Sequence, residues 1–163
     1  MLKFIRGFGY AFQGIGNCLW RERNMRVHFS AIVLVLYWCC FFRPTAMEFI
    51  FIVICFGVVT AMECMNTAVE SLADKLSKEQ HPLIKQAKDC AAGAVLLTAV
   101  ASAITGCILF LQQPRFSLAI QNIFSSPLWT ALLIILLISA FCFAFLLPVR
   151  KKTFRFQKKE KKD

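Results

Sequence analysis

The chain has 163 residues, 58% of them hydrophobic and 13% aromatic, with a formal net charge of +10 and a mean hydropathy of +0.63. That length allows one domain, and that apolarity excludes an ordinary soluble one: this is the composition of an integral membrane protein. The basic excess would suggest nucleic acid in a soluble chain, but here it reads as orientation of the chain against anionic lipid.

Phe4, Phe8, Phe12, Ile15 and Leu19 recur at helical spacing, with Arg6, Gln13 and Asn17 elsewhere on the circumference. The spacing predicts an amphipathic helix over about 4–20, lying on the membrane surface. Gly7, Gly9, Gly14 and Gly16 weaken it by about 1 kcal/mol each relative to Ala, so lipid or neighbouring helices must support it. Lys3 and Tyr10 lie seven apart, on one face away from the apolar stripe.

Uncharged runs at 29–42, 49–62, 90–113 and 116–149 predict four crossings, over about 25–42, 46–70, 88–111 and 128–149. The last two runs each span a ~30 Å hydrocarbon core outright, and the first two reach that length by borrowing flanking residues. Arg43-Pro44 marks the first turn, and Pro82 turns His81 out of helical geometry. Ala91-Ala92-Gly93-Ala94 lets backbones approach closely, as helix packing in lipid requires. Pro127 suits the start of the fourth span and Pro148 its end.

Seventeen of the nineteen Lys and Arg residues fall in the N-terminal arm, the 70–89 loop and the 150–163 tail; Arg43 and Arg115 are the exceptions. Cations near a crossing stay preferentially in the cytoplasm, so both termini are expected there. The tail reads as a basic segment on anionic lipid or a disordered one. The eight cysteines form no Cys-x-x-Cys pair and sit mostly in apolar runs, which predicts reduced packing residues. No leader with a small-residue cleavage site is evident, so the first residues are expected to belong to the mature chain.

Six of the nine acids, Glu22, Glu63, Glu70, Asp74, Glu79 and Asp89, occur near the same ends of the spans. On a helix, Glu70 and Asp74 each fall within about 20° of Glu63, with Asn66 and Thr67 flanking the stripe. Carboxylates in one line repel unless a cation or a proton sits among them. A single such residue is most simply a snorkelling salt bridge; six together suggest a site. Glu22, Glu70 and Asp74 suit a hard divalent cation, with Lys88 beside Asp89 for phosphate oxygens. Glu63, about two turns deeper than Glu70, suits a proton acceptor. The implied chemistry is phosphoryl transfer onto something lipid-bound. Gly7-x-Gly9 follows no strand and no phosphate-loop motif occurs, while His28 and His81 lack the cysteines of a zinc site. On residue types alone, a lipid kinase and a carboxylate-based ion carrier remain alternatives.

Glu22-Arg-Asn-Met-Arg-Val-His28, Glu63-x-x-Asn-Thr-Ala-Val-Glu70, Asp74, Glu79-x-His81-Pro-Leu and Ala87-Lys-Asp-x-Ala-Ala-Gly-Ala-Val-Leu, in that order, resemble the small bacterial diacylglycerol kinase and undecaprenol kinase family. The resemblance covers about residues 1–111, a membrane lipid kinase domain; residues 112–163 form an extension with a fourth span and the basic tail. It implies an all-α homotrimer in the bacterial inner membrane, with active sites shared between neighbouring subunits at the cytoplasmic edge. MgATP is the implied donor and a membrane lipid alcohol the acceptor.

Carried over by position, the resemblance makes Glu63 the catalytic base and Glu22 and Glu70 the metal ligands. It places Lys3, Tyr10, Glu22, Glu70, Glu79, Gln80, His81, Lys88 and Asp89 at the nucleotide, and Glu63, Asn66 and Ala92 at the lipid. Asp74 becomes secondary, an ion pair with Lys75 or Lys78. Gln80 departs from the family's aromatic residue, which bears on packing against adenine. His28 and Thr67 look more like the undecaprenol kinase branch than the diacylglycerol kinase branch. The fourth span has no counterpart in three-helix members; packing against the trimer, closing part of a lipid groove and recruiting another protein are its open roles.

Overall fold

The computed structural model describes residues 2–76 and 81–148, with side chains from Phe4 onward. Every element among them is helical: α1 (Leu2–Arg21), α2 (Arg23–Phe42), α3 (Ala46–Leu76), α4 (Pro82–Phe110), α5 (Arg115–Phe124) and α6 (Pro127–Phe141), closed by a π-helical turn, Cys142–Leu146. Four of these helices are long and apolar enough to cross a membrane: α2, α3, α4 and the Pro127–Leu146 segment. An all-α membrane protein is therefore what the chain forms.

α3 and α4 make the central antiparallel hairpin. At ~1.5 Å per residue α3 is about 46 Å long, well beyond the ~30 Å core, so its last turns and the first turns of α4 stand clear of the hydrocarbon. The hairpin's other end is fixed by reciprocal capping: Thr45 N–H donates to Glu48 Oε2 at 2.7 Å, and Glu48 N–H to Thr45 Oγ1 at 3.3 Å.

The uncharged run after Arg115 is two helices. Ser125-Ser126-Pro127 divides it, with Ser126 extended as the N-cap of α6 and Pro127 in its first turn. The extra helix, α5, packs on α2, where Trp38 meets Phe116 at a ring separation of 5.6 Å. This element escaped the hydropathy reading because no ionisable residue interrupts the run.

α6 then returns antiparallel along α2. Tyr37 Oη donates to Trp129 O at 2.7 Å, Ser30 Oγ to Ala140 O at 3.5 Å, and the buried Arg26 guanidinium to Phe143 O and Leu147 O at 3.2 and 2.8 Å. Lipid tails are as apolar as the helix surfaces, so close packing and polar contacts such as these hold helices together in a bilayer. Phe41 against Trp129, 5.4 Å between ring centroids, adds an aromatic contact at the opposite end of the pair from Arg26.

Candidate functional site

α1 ends at Arg21 and α2 begins at Arg23, leaving Glu22 as the extended residue between them, with φ −109° and ψ 123°. It is the N-cap of α2 by backbone, but its half-buried carboxylate does not cap the helix. One turn earlier, Cys18 Sγ lies 3.1 Å from Thr67 Oγ1, a buried contact that seats α1 on α3. Thr67 in turn donates to Glu63 O at 2.9 Å, consistent with its i−4 position on α3.

Depth separates the carboxylates of the stripe. Counting from the Glu48 cap at ~1.5 Å per residue, Glu63 lies about 22 Å along α3, inside a ~30 Å core, and Glu70 about 33 Å along, just beyond it. Glu63 is only 1% exposed. His28 Nε2 approaches its Oε1 at 3.4 Å, but that oxygen makes no hydrogen bond among the described residues. Asn66, one turn on, donates Nδ2–H to Glu70 Oε1 at 3.3 Å, which fixes its amide orientation and leaves its buried Oδ1 likewise without a partner there. Two adjacent buried acceptors in an apolar wall call for a donor, since leaving such atoms unmade costs about 1–3 kcal/mol each.

Asp74 is paired across the hairpin: Lys88 Nζ donates to Asp74 Oδ1 at 3.1 Å. The pairing reading from sequence named Lys75 or Lys78; Lys78 lies outside the described residues, and the antiparallel return of α4 brings Lys88 to Asp74. Asp89 is exposed, and Ala92 is exposed on α4 near the same end. His81 serves as the N-cap of α4, its Nδ1 accepting from Leu83 N–H at 3.3 Å. Tyr10 projects from α1, 71% exposed. Lys3 belongs to α1 but its side chain, like Glu79 and Gln80 altogether, lies outside the described residues.

One chain thus brings together Glu63, Asn66 and Glu70 on α3, with Lys88 and Asp74 above them. Tyr10 on α1 and His81 at the start of α4 are both exposed. Among the described residues no group of three or more His, Cys, Asp or Glu side chains converges as a metal cluster. Sequence reading used His28 only as a mark of the undecaprenol kinase branch; its spacing from Glu63 carries no signal until α2 and α3 are packed.

The profile of the prokaryotic diacylglycerol kinase family matches residues 9–110. The chain belongs to that family. The undecaprenol kinase of Bacillus subtilis (strain 168) is 37% identical over 111 residues, covering 68% of this chain and 90% of the relative. A diacylglycerol kinase of Synechocystis is 37% identical over 114 residues, 69% of this chain but 65% of the relative. That of Escherichia coli K12 is 28% identical over 107 residues, 66% of this chain and 88% of the relative. No solved structure matches the chain. As a member of the prokaryotic diacylglycerol kinase family, the protein is a membrane lipid kinase, which implies ATP as its phosphoryl donor and disposes of the ion-carrier alternative.

Proposed function

We propose that the enzyme phosphorylates undecaprenol, with Glu63 as general base at the cytoplasmic edge of the bacterial inner membrane. The observation that carries the chemistry is the pair of buried acceptors, Glu63 Oε1 and Asn66 Oδ1, one turn apart on α3 and without a hydrogen bond among the described residues. A lipid hydroxyl reaching the hydrocarbon boundary would donate to Glu63; as its proton passes to the carboxylate, the oxygen attacks the γ-phosphorus of ATP and ADP leaves. Asn66 borders the hydroxyl and Ala92 the lipid chain. Lys88 and Asp89, with Lys3, Tyr10, Glu79, Gln80 and His81, make up the nucleotide side.

Glu22 and Glu70 fit a divalent cation: both offer hard carboxylate oxygens near the polar end, and with no third acid among the described residues converging on them, phosphate oxygens and water would complete the shell of Mg²⁺. Bound there, Mg²⁺ would neutralise charge on the transferring phosphates. The exposure of Tyr10 and His81 in a single chain supports a homotrimer in which a neighbouring copy completes each site. The charge asymmetry of the loops supports cytoplasmic termini.

The acceptor reading draws on likeness to the B. subtilis relative, whose length the chain covers more fully than that of the Synechocystis one, and on His28 facing the base. Purified protein supplied with labelled ATP and either lipid tests it. Faster phosphate transfer to undecaprenol is expected; a diacylglycerol rate far above it would reassign the enzyme to the other acceptor.

A further inference from the structure

The family match stops at Phe110, so nothing in it accounts for α5, α6 or the π-helical turn. That turn ends on the corner that carries Glu22. The Trp20 ring stands edge-on to Phe143 at 6.0 Å, the Arg23 guanidinium lies over Phe145 at 4.4 Å, and Arg26 donates to Phe143 O and Leu147 O. Residues two before, one after and four after Glu22 are therefore all held by one turn of the fourth span.

The contact is made obligatory by local backbone chemistry. In the π-helical turn Leu147 N–H bonds to Cys142 O at 3.3 Å, so it is not available to Phe143 O, and Pro148 has no N–H to offer. Carbonyls at a helix end need a donor, and a cation there also complements the helix dipole. Arg26, 1% exposed, supplies both. A guanidinium buried this far needs acceptors in return, so neither side of the contact is easily given up.

We propose that this last turn is a positioning element for the nucleotide side of the active site: Phe143 and Phe145 hold the α1–α2 corner so that the Glu22 carboxylate is in place for a divalent cation that would accompany the nucleotide. The inference rests on the reading of Glu22 as a metal ligand. The turn touches no reacting group itself; it acts through Glu22. Its loss is therefore felt by the magnesium–nucleotide complex and not by the lipid acceptor, whose Glu63 and Asn66 belong to the α3–α4 hairpin.

The test compares full-length F143A/F145A with Y37F/W129A, which loosens the opposite end of the same span, in lipid nanodiscs. Calorimetric titration with magnesium and the non-hydrolysable analogue AMP-PNP is expected to show about tenfold weaker binding for F143A/F145A and a change within about twofold for Y37F/W129A. The KM for lipid should stay near wild type in both. Equal weakening in the two variants, or none in F143A/F145A, overturns the proposal. A third variant, E22Q, separates the two readings: weakened binding in E22Q alone removes the positioning role and keeps Glu22 as ligand. Wild-type binding in E22Q removes the ligand reading, and the positioning role with it.

Discussion

The imidazole Nε2 of His28 lies 3.4 Å from Oε1 of Glu63, joining the first turns of α2 to the deepest carboxylate on α3. Glu63 is buried while His28 keeps 24% of its side chain exposed, so the contact links a buried carboxylate to a partly accessible imidazole. Replacing Glu63 by Gln is expected to abolish lipid phosphorylation while leaving assembly and nucleotide binding intact. His28→Ala, which removes the imidazole beside that carboxylate, should lower kcat about tenfold, equivalent to about 1.4 kcal/mol of transition-state stabilisation, with the KM for ATP unchanged. His28→Gln, which retains a donor, should recover part of the loss. Wild-type kcat in His28→Ala would reduce the contact to packing.

Lys88 is expected at the nucleotide phosphates, yet in this structure it sits on Asp74 at 3.1 Å, with both side chains 37% exposed. An exposed pair of this kind contributes about 0–1 kcal/mol, little enough for ATP to displace it. Lys88→Ala should therefore raise the KM for ATP about tenfold or more, whereas Asp74→Asn, which releases the lysine, should leave it within about twofold or lower it. Equal rises in the two variants, measured by steady-state kinetics, would make the pair a structural tie between α3 and α4.

Much of this architecture was legible in the sequence, for reasons that also show where legibility stops. Uncharged runs located the spans because charge is costly in hydrocarbon, and helical spacing placed Glu63, Glu70 and Asp74 on one stripe before any packing was known. α5 was hidden because 116–149 carries no ionisable residue, although 34 residues exceed one crossing and Ser125-Ser126-Pro127 is a turn signal. The contacts of His28 with Glu63, Lys88 with Asp74, and Arg26 with Phe143 and Leu147 join different helices. They depend on interhelical register, which one chain's periodicity does not encode. Arg26 shows this most clearly: as a cation beside a span it reads as an orientation signal, and in the structure it is buried against the end of another helix.

Cys18 lies in α1, outside the spans, and its contact with Thr67 allows a chemical test of how α1 is seated. Burial pushes its thiol from 9.0 to about 12, against the opposing hydrogen bond of Thr67 and with a smaller contribution from Cys64 and then Glu63. Only the thiolate reacts with maleimides, and a raised pKa means that the thiol stays protonated until the pH is far above the working range. At pH 8 about a tenth of a thiol of pKa 9.0 is ionised, against about one part in ten thousand at about 12. N-ethylmaleimide at pH 8 should thus label the exposed Cys90 long before Cys18, as read by mass spectrometry of the intact enzyme. Comparable labelling of both would mean that α1 is not held on α3.

Arg115 ties the extension to the hairpin at the end opposite the candidate site. Its Nη2 and Nη1 donate to Glu48 Oε1 and Oε2 at 2.7 and 3.2 Å, and its guanidinium lies 4.3 Å above the Phe42 ring. Glu48 is already engaged with Thr45, so one carboxylate caps α3 and anchors α5 together. A bidentate, partly buried pair of this geometry is worth more than a surface ion pair, and its loss should cost about 1–3 kcal/mol. Arg115→Ala is expected to lower the melting temperature in detergent, with kcat and both KM values unchanged. Arg115→Lys should fall between it and wild type, because an ammonium keeps the charge but not the two parallel bonds. Combining Arg115→Ala with Glu48→Gln should destabilise less than the sum of the single changes, since each removes the same contact. A fall in kcat with the melting temperature preserved would show instead that the outer end of the extension communicates with the site about 30 Å away across the membrane.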